Sequence, residues 1–145
     1  MFKTENDIVQ DKKKMNRAEV LEIVDSARKK GEIPNLQGVN LQGVDLGIIN
    51  LWGVDLRGAN LRGANLRGSS LWKANLQGAN LQEANVQNAN LREANLQESC
   101  LCGANLQGVA LSETDLRDAD LRGSTLRKID LRGADLRGAS LYDKE

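Results

Sequence analysis

Cys100 and Cys102 are the side chains in this sequence best suited to covalent or metal chemistry, and a single leucine separates them. Histidine is absent, which removes the commonest general base and the commonest metal ligand together. A structural zinc site takes four ligands, and no further Cys or His stands at a ligand spacing, so no metal site is expected. Cysteines at i and i+2 of an extended segment point outward from one wall with poor geometry for a disulfide. Both are therefore expected to be free surface thiols in a reducing compartment.

Other chemical patterns fall short in the same way. Gly63 and Gly68 have the interval of a phosphate-binding loop, but Ser69-Ser70 follows where a lysine would be needed. Glu93 and Glu113 form a carboxylate pair without a concave pocket to work in. The expectation is a protein with no catalytic residues, no cofactor and no enzymatic activity. Trp52 and Trp72 stand out differently, being spaced twenty residues apart in a chain with 3% aromatics.

What must position all of these is a repeat. From Pro34 to Asp143 the chain reads in fives around a central leucine, Leu36, Leu41, Leu46 and on to Leu141, with Val86 the one exception among 22 centres. Two residues before the centre stands a small or β-branched residue in every unit but the first, where it is Pro34, and one before it Asn or Asp in 17 of the 22 units. Glycine closes 12 units. A period of five fits neither a 3.6-residue helix nor a two-residue strand, and instead suggests a short extended piece followed by a turn. One leucine used again and again suits a stack in which each layer meets a copy of itself.

Units such as Ala59-Asn60-Leu61-Arg62-Gly63 strongly resemble those of the pentapeptide-repeat family, across about three quarters of the chain. The resemblance implies an all-β fold, a right-handed quadrilateral β-helix with about 20 residues per coil and about 5.5 coils. At roughly 4.8 Å per strand layer the rod would be about 25 Å long. Residues at i and i+20 then share a column. Trp52, Trp72 and Arg92 become an outward stripe, with a guanidinium available to the second indole and Ile48 one unit away. These four residues are the candidate partner-binding patch, since exposed aromatics are enriched in binding hot spots. The alternative is that residues 1–16 fold back and cover it.

Four regions follow. Residues 1–16 read as a flexible polar arm and 17–31 as an N-terminal capping helix. Residues 34–143 form the repeat and 144–145 a tail. The helix has Asn16 as N-cap with Glu19 three residues later, and Gly31 at its exit. Its face of Val20, Leu21, Val24 and Ala27, with Ile23 at the edge, is expected to cover the first leucine layer. At the other end Leu126, Leu131, Leu136, Leu141 and Tyr142 have no such cover, and a homodimer through this C-terminal coil is expected.

Charge narrows the partner class. Lysine and arginine total 20, as do aspartate and glutamate, so a nucleic-acid partner is not expected. Nine arginines follow central leucines, but the most basic of the four faces carries only Arg67, Arg127 and Lys128 against Asp45. No apolar run reaches membrane length, the N-terminus lacks a secretory core, and a cytoplasmic location is expected. The leading functional expectation is a protein-interaction or scaffold module with an unknown protein partner. The family resemblance supplies the alternative, a DNA mimic that binds DNA gyrase and protects it from quinolones. Such members are strongly acidic and carry C-terminal helices, whereas this chain is neutral and has none.

Overall fold

The computed structural model describes residues 13–142. In most units the carbonyl of the central residue accepts the N–H three residues on, as from Ala59 to Leu56 and from Ala64 to Leu61, each at 3.0 Å. The residue two after the centre has positive φ, for example 65° at Gly58 and Gly63. This is the signature of a type II turn. Glycine suits that position, yet Lys73, Glu83, Asn88 and even Ile48 adopt it, the last with φ 53°.

Between turns the chain pairs with itself one coil away. Asn35, Asp55, Asn75, Asn95, Asp115 and Asp135 form successive parallel bridges, each twenty residues from the next, and the other three walls repeat the pattern. The N–H of Leu56 donates to Asn75 O at 2.7 Å in the next coil, while the N–H of Asn75 reaches back to Val54 O at 2.9 Å. Four five-residue units complete each circuit. The chain is a right-handed β-helix solenoid whose walls are single-residue bridges rather than long strands.

Inside, the leucines from Leu36 to Leu116 are buried, as are the alanines and valines two residues before them except the half-buried Val39. Each buried leucine contributes on the order of 1.5–3 kcal/mol. Where Ser or Thr takes the small inward position, its hydroxyl is bonded. Ser69 and Ser99 donate to Leu66 O and Leu96 O at 2.7 Å, and Thr114 to Leu91 O at 2.8 Å. Outside, the Asn or Asp before the centre accepts the N–H of the residue after it, as from Gln82 to Asn80 Oδ1 at 3.0 Å. That bond closes an Asx turn, which explains the choice of residue.

Helix α1 spans Arg17–Lys29, two residues short of the expected end. Asn16 Oδ1 accepts the Glu19 N–H at 2.9 Å. At the other end the Glu32 N–H reaches Ala27 O at 2.9 Å around Gly31, whose φ is 70°, a Schellman-type closure. The packed face differs from the expected one. Val20 and Val24 are buried among the leucines and Ile23 packs against them, whereas Leu21 is exposed. At about 100° per residue, a stripe of 20, 23, 24 and 27 is narrower than one including 21.

Just before α1, Lys14 bridges Asn40, and the Met15 N–H donates to Asn40 O at 2.9 Å. The last residues of the expected polar arm are thus part of the second wall. The rest of that arm and the tail 144–145 lie outside the described residues. At the far end Leu126 and Leu141 are 36% and 37% exposed and Tyr142 85%, while Leu131 and Leu136 are half-buried. Among the described residues no helix is long and apolar enough to cross a membrane.

Candidate interaction surface

The twenty-residue column rule places Trp52 and Trp72 on the fourth wall, one above the other. Their ring centroids are 6.3 Å apart and tilted by 40°, a geometry favoured by the ring quadrupoles. Both remain open, at 47% and 37% exposure. Ile48, at the turn into this wall, is 85% exposed. Ile33, which the sequence reading did not single out, is 72% exposed and joins Trp52 in lining a groove of about 320 Å³ beside the end of α1.

Cations bracket the indoles. The Arg28 guanidinium lies 5.3 Å from the Trp52 centroid and Lys73 Nζ lies 4.6 Å from that of Trp72. The cation over the second indole is therefore Lys73 and not the expected Arg92. Lys73 sits at the left-handed turn position beside Trp72, and the coil above supplies Glu93 to both. Glu93 accepts the Trp72 indole N–H at 3.1 Å and pairs with Lys73 at 3.5 Å. One member of the expected carboxylate pair is thus committed to holding the stripe.

Arg28 has a second task. Its guanidinium donates to Asn50 O at 3.3 Å and Trp52 O at 3.2 Å. On the neighbouring wall Arg17 donates to Asp45 O and Gly47 O, at 3.3 and 2.9 Å. In later coils the equivalent carbonyls take backbone N–H groups from the coil before, as Asp55 O takes that of Leu36 at 2.8 Å. The two arginines of α1 stand in for that missing coil and give these end-layer carbonyls their partners.

Five of the nine outward arginines are neutralised within their own units, and Arg62 pairs with Glu83 of the next coil at 3.4 Å. Arg57, Arg117, Arg122, Arg132 and Arg137 each fold back onto the aspartate two residues before, at 2.6–2.7 Å. The guanidiniums hold Asp115 and Asp120 well below the ordinary carboxylate range, and Asp130 at about 2. The outcome is a surface of local ion pairs rather than a basic groove or an acidic field.

On the second wall the structure adds what the linear spacing concealed. Cys100 and Cys102 are half-buried free thiols with their sulfurs 2.9 Å apart. Asp120, one coil from Cys100, completes a cluster whose ligand atoms all lie within 4.8 Å of one another. The signal was available in the column rule, because position 100 plus one coil is 120. Burial, then the bond to Cys100 and the nearby Asp120, push the Cys102 thiol up to about 12.

Comparison with known proteins agrees with this architecture. The family described as pentapeptide repeats matches in eight copies over residues 35–72, 73–108 and 114–143. The crystal structure of Rfr23, a pentapeptide repeat protein from the cyanobacterium Cyanothece 51142, is 31% identical, with 86% of this chain and 98% of that chain covered and a TM-score of 0.49. HetL, a pentapeptide repeat protein involved in heterocyst differentiation regulation from Nostoc sp. strain PCC 7120, is 32% identical over 73% of this chain and 59% of its own, with a TM-score of 0.37. Full-length QnrB1, a plasmid-mediated fluoroquinolone resistance protein, gives a TM-score of 0.53 at 22% identity, over 75% of this chain and 65% of its own. No curated protein sequence matches the chain. The repeat, its twenty-residue stacking and these matches together make this chain a member of the pentapeptide-repeat family.

Proposed function

We infer that this protein is a non-enzymatic interaction module, a rigid rod that presents the Trp52–Trp72 stripe to a protein partner. The observation that carries this reading is the stripe itself. Two stacked indoles remain 47% and 37% exposed although a capping helix passes beside them. Ile48 and Ile33 extend the apolar area on either side, and aromatic anchors within a polar surround are the usual composition of a binding hot spot. In this reading α1 is the N-terminal cap of the rod, and its Arg28 stiffens the stripe. A reducing compartment such as the cytoplasm suits the two free thiols.

The leucine layer at 126, 131, 136 and 141 is a second contact surface in the same proposal, through which two copies of this chain would join end to end. A gyrase-directed role gains no support from the surface, because five of the aspartates that would supply an acidic field are paired with arginines in their own units.

The test is a quantitative pull-down from lysate of the source organism, comparing wild type with Trp52→Gln/Trp72→Gln. Circular dichroism would first establish that the variant folds. A protein retained by wild type and lost with the variant supports the reading. Equal retention by both would overturn the role given to the tryptophans.

A further inference from the structure

We propose that Cys100, Cys102 and Asp120 form a surface site for one soft, thiophilic metal cation, bound by two thiolate sulfurs and a carboxylate with solvent completing the shell. The argument starts from placement. Cys100 and Asp120 are bridged partners in adjacent coils of one wall, and Cys102 follows Cys100 after the inward-pointing Leu101. The backbone beneath is fixed on both sides. Cys100 N–H donates to Ala79 O at 3.0 Å, Leu101 N–H to Asp120 O at 2.7 Å, and Gly103 N–H to Arg122 O at 3.0 Å. The three side chains therefore stand on a rigid ladder rather than on a loop.

The donor set decides the class of ion. Two thiolates favour soft cations such as Cd²⁺, Zn²⁺ or Cu⁺ over Mg²⁺ and Ca²⁺, which take oxygen. Two metal–sulfur bonds of about 2.3 Å at a tetrahedral angle set the sulfurs about 3.8 Å apart. From 2.9 Å that takes a small rotation of each side chain and no backbone movement. Asp120 is already oriented by Arg122, whose Nε and Nη2 hold its two oxygens at 2.8 and 2.6 Å. Each carboxylate oxygen has a second lone pair, so Asp120 can accept Arg122 and a cation together. Such outer partners orient metal ligands generally.

The sequence also departs from its own rule here. In 17 of the 22 units an Asn or Asp stands before the centre and accepts the N–H after it, as Asn80 does for Gln82 and Asp120 for Arg122. Cys100 is one of the five exceptions, with Ser70, Ala110, Thr125 and Ser140. Cys100 gives up that oxygen acceptor for sulfur, directly beside the chain's only other cysteine. Binding of a divalent ion by the protonated pair exchanges two S–H bonds for two metal–sulfur bonds and releases two protons, with no change of oxidation state.

The test is titration of the reduced full-length chain with Cd²⁺, following the ultraviolet thiolate-to-metal charge-transfer absorption and proton release in weak buffer. One ion per chain and about two protons per ion are expected. Cys100→Ser and Cys102→Ser should each abolish the absorption at equimolar Cd²⁺, and Asp120→Asn should weaken binding about tenfold or more. Circular dichroism distinguishes loss of the site from loss of the fold. Half an ion per chain accompanied by dimerisation would overturn the proposal, since the ion would then bridge two molecules. Unchanged affinity in Asp120→Asn, or an absorption that survives either serine variant, would overturn it equally.

Discussion

Arg28 and Trp52 meet twice, once through the indole face at 5.3 Å and once through the Trp52 carbonyl at 3.2 Å. The guanidinium thus joins helix α1 to the first coil and props the outer tryptophan in one movement. Arg28→Ala is expected to lower stability by about 1–2 kcal/mol, from a charged hydrogen bond and a cation–π contact together. Thermal unfolding measures the loss. Arg28→Lys should recover little of it, because an ammonium cannot span two carbonyls and a ring in one plane. Full recovery by lysine would show that charge alone is at work.

Ile48 presents the opposite case, a residue that opposes the fold. It is the only β-branched side chain among the described positive-φ positions, where an L-residue is disfavoured by about 1–2 kcal/mol. Ile48→Gly is therefore expected to raise the urea midpoint. In the proposed function the same change weakens partner capture by removing an exposed apolar side chain. A stabilised variant with unaltered capture would take Ile48 out of the binding surface.

The leucine columns predict a gradient along the rod. Leu76 is fully buried, and Leu76→Ala should destabilise by about 2–5 kcal/mol. Leu126, 36% exposed, has less contact to lose, and Leu126→Ala should fall below about 1 kcal/mol. Equal losses measured by urea unfolding at low protein concentration would mean that the end layer is covered in solution. Self-association is the first explanation to examine by sedimentation.

Acid stability follows from the aspartate–arginine units. Hydrogen bonds from Arg117, Arg122 and Arg132 depress Asp115, Asp120 and Asp130 below their ordinary 3.8. A depressed carboxylate contributes its full stabilisation above its unfolded value and loses it as pH falls through the folded one. The urea midpoint should hold down to about pH 4 and decline from there towards pH 2 and below. Asp115→Asn should flatten that decline. A midpoint that drops between pH 7 and 5 instead would point to other groups.

The core was legible in the sequence because a strict period determines the column of every inward residue. Leu36 through Leu116 and the tryptophan stack were assigned on that basis alone. The column rule says who is above and below, but it does not choose a rotamer. Lys73 therefore took the place over Trp72 that the rule offered to Arg92. Helix α1 lies outside the lattice, so no spacing fixed its azimuth, and Ile23 packed where Leu21 was expected. Nor did composition reveal that Arg17 and Arg28 would reach the first-coil carbonyls. The Cys100–Asp120 pairing follows from the rule, whereas a ligand spacing read along the chain does not show residues that meet across coils.

The parallel bridges give every residue of the repeat two coordinates, a column that changes every five residues and a level that changes every twenty. Removing one whole circuit shortens the rod and leaves every later residue in its own column. Removing a single five-residue unit keeps the leucines inward but turns all that follows by a quarter. Trp72 would then leave the stack with Trp52 if the unit lost lay between them. Length can therefore change by whole circuits without rewriting the surface, while the smaller step reshuffles every neighbour and spares the core.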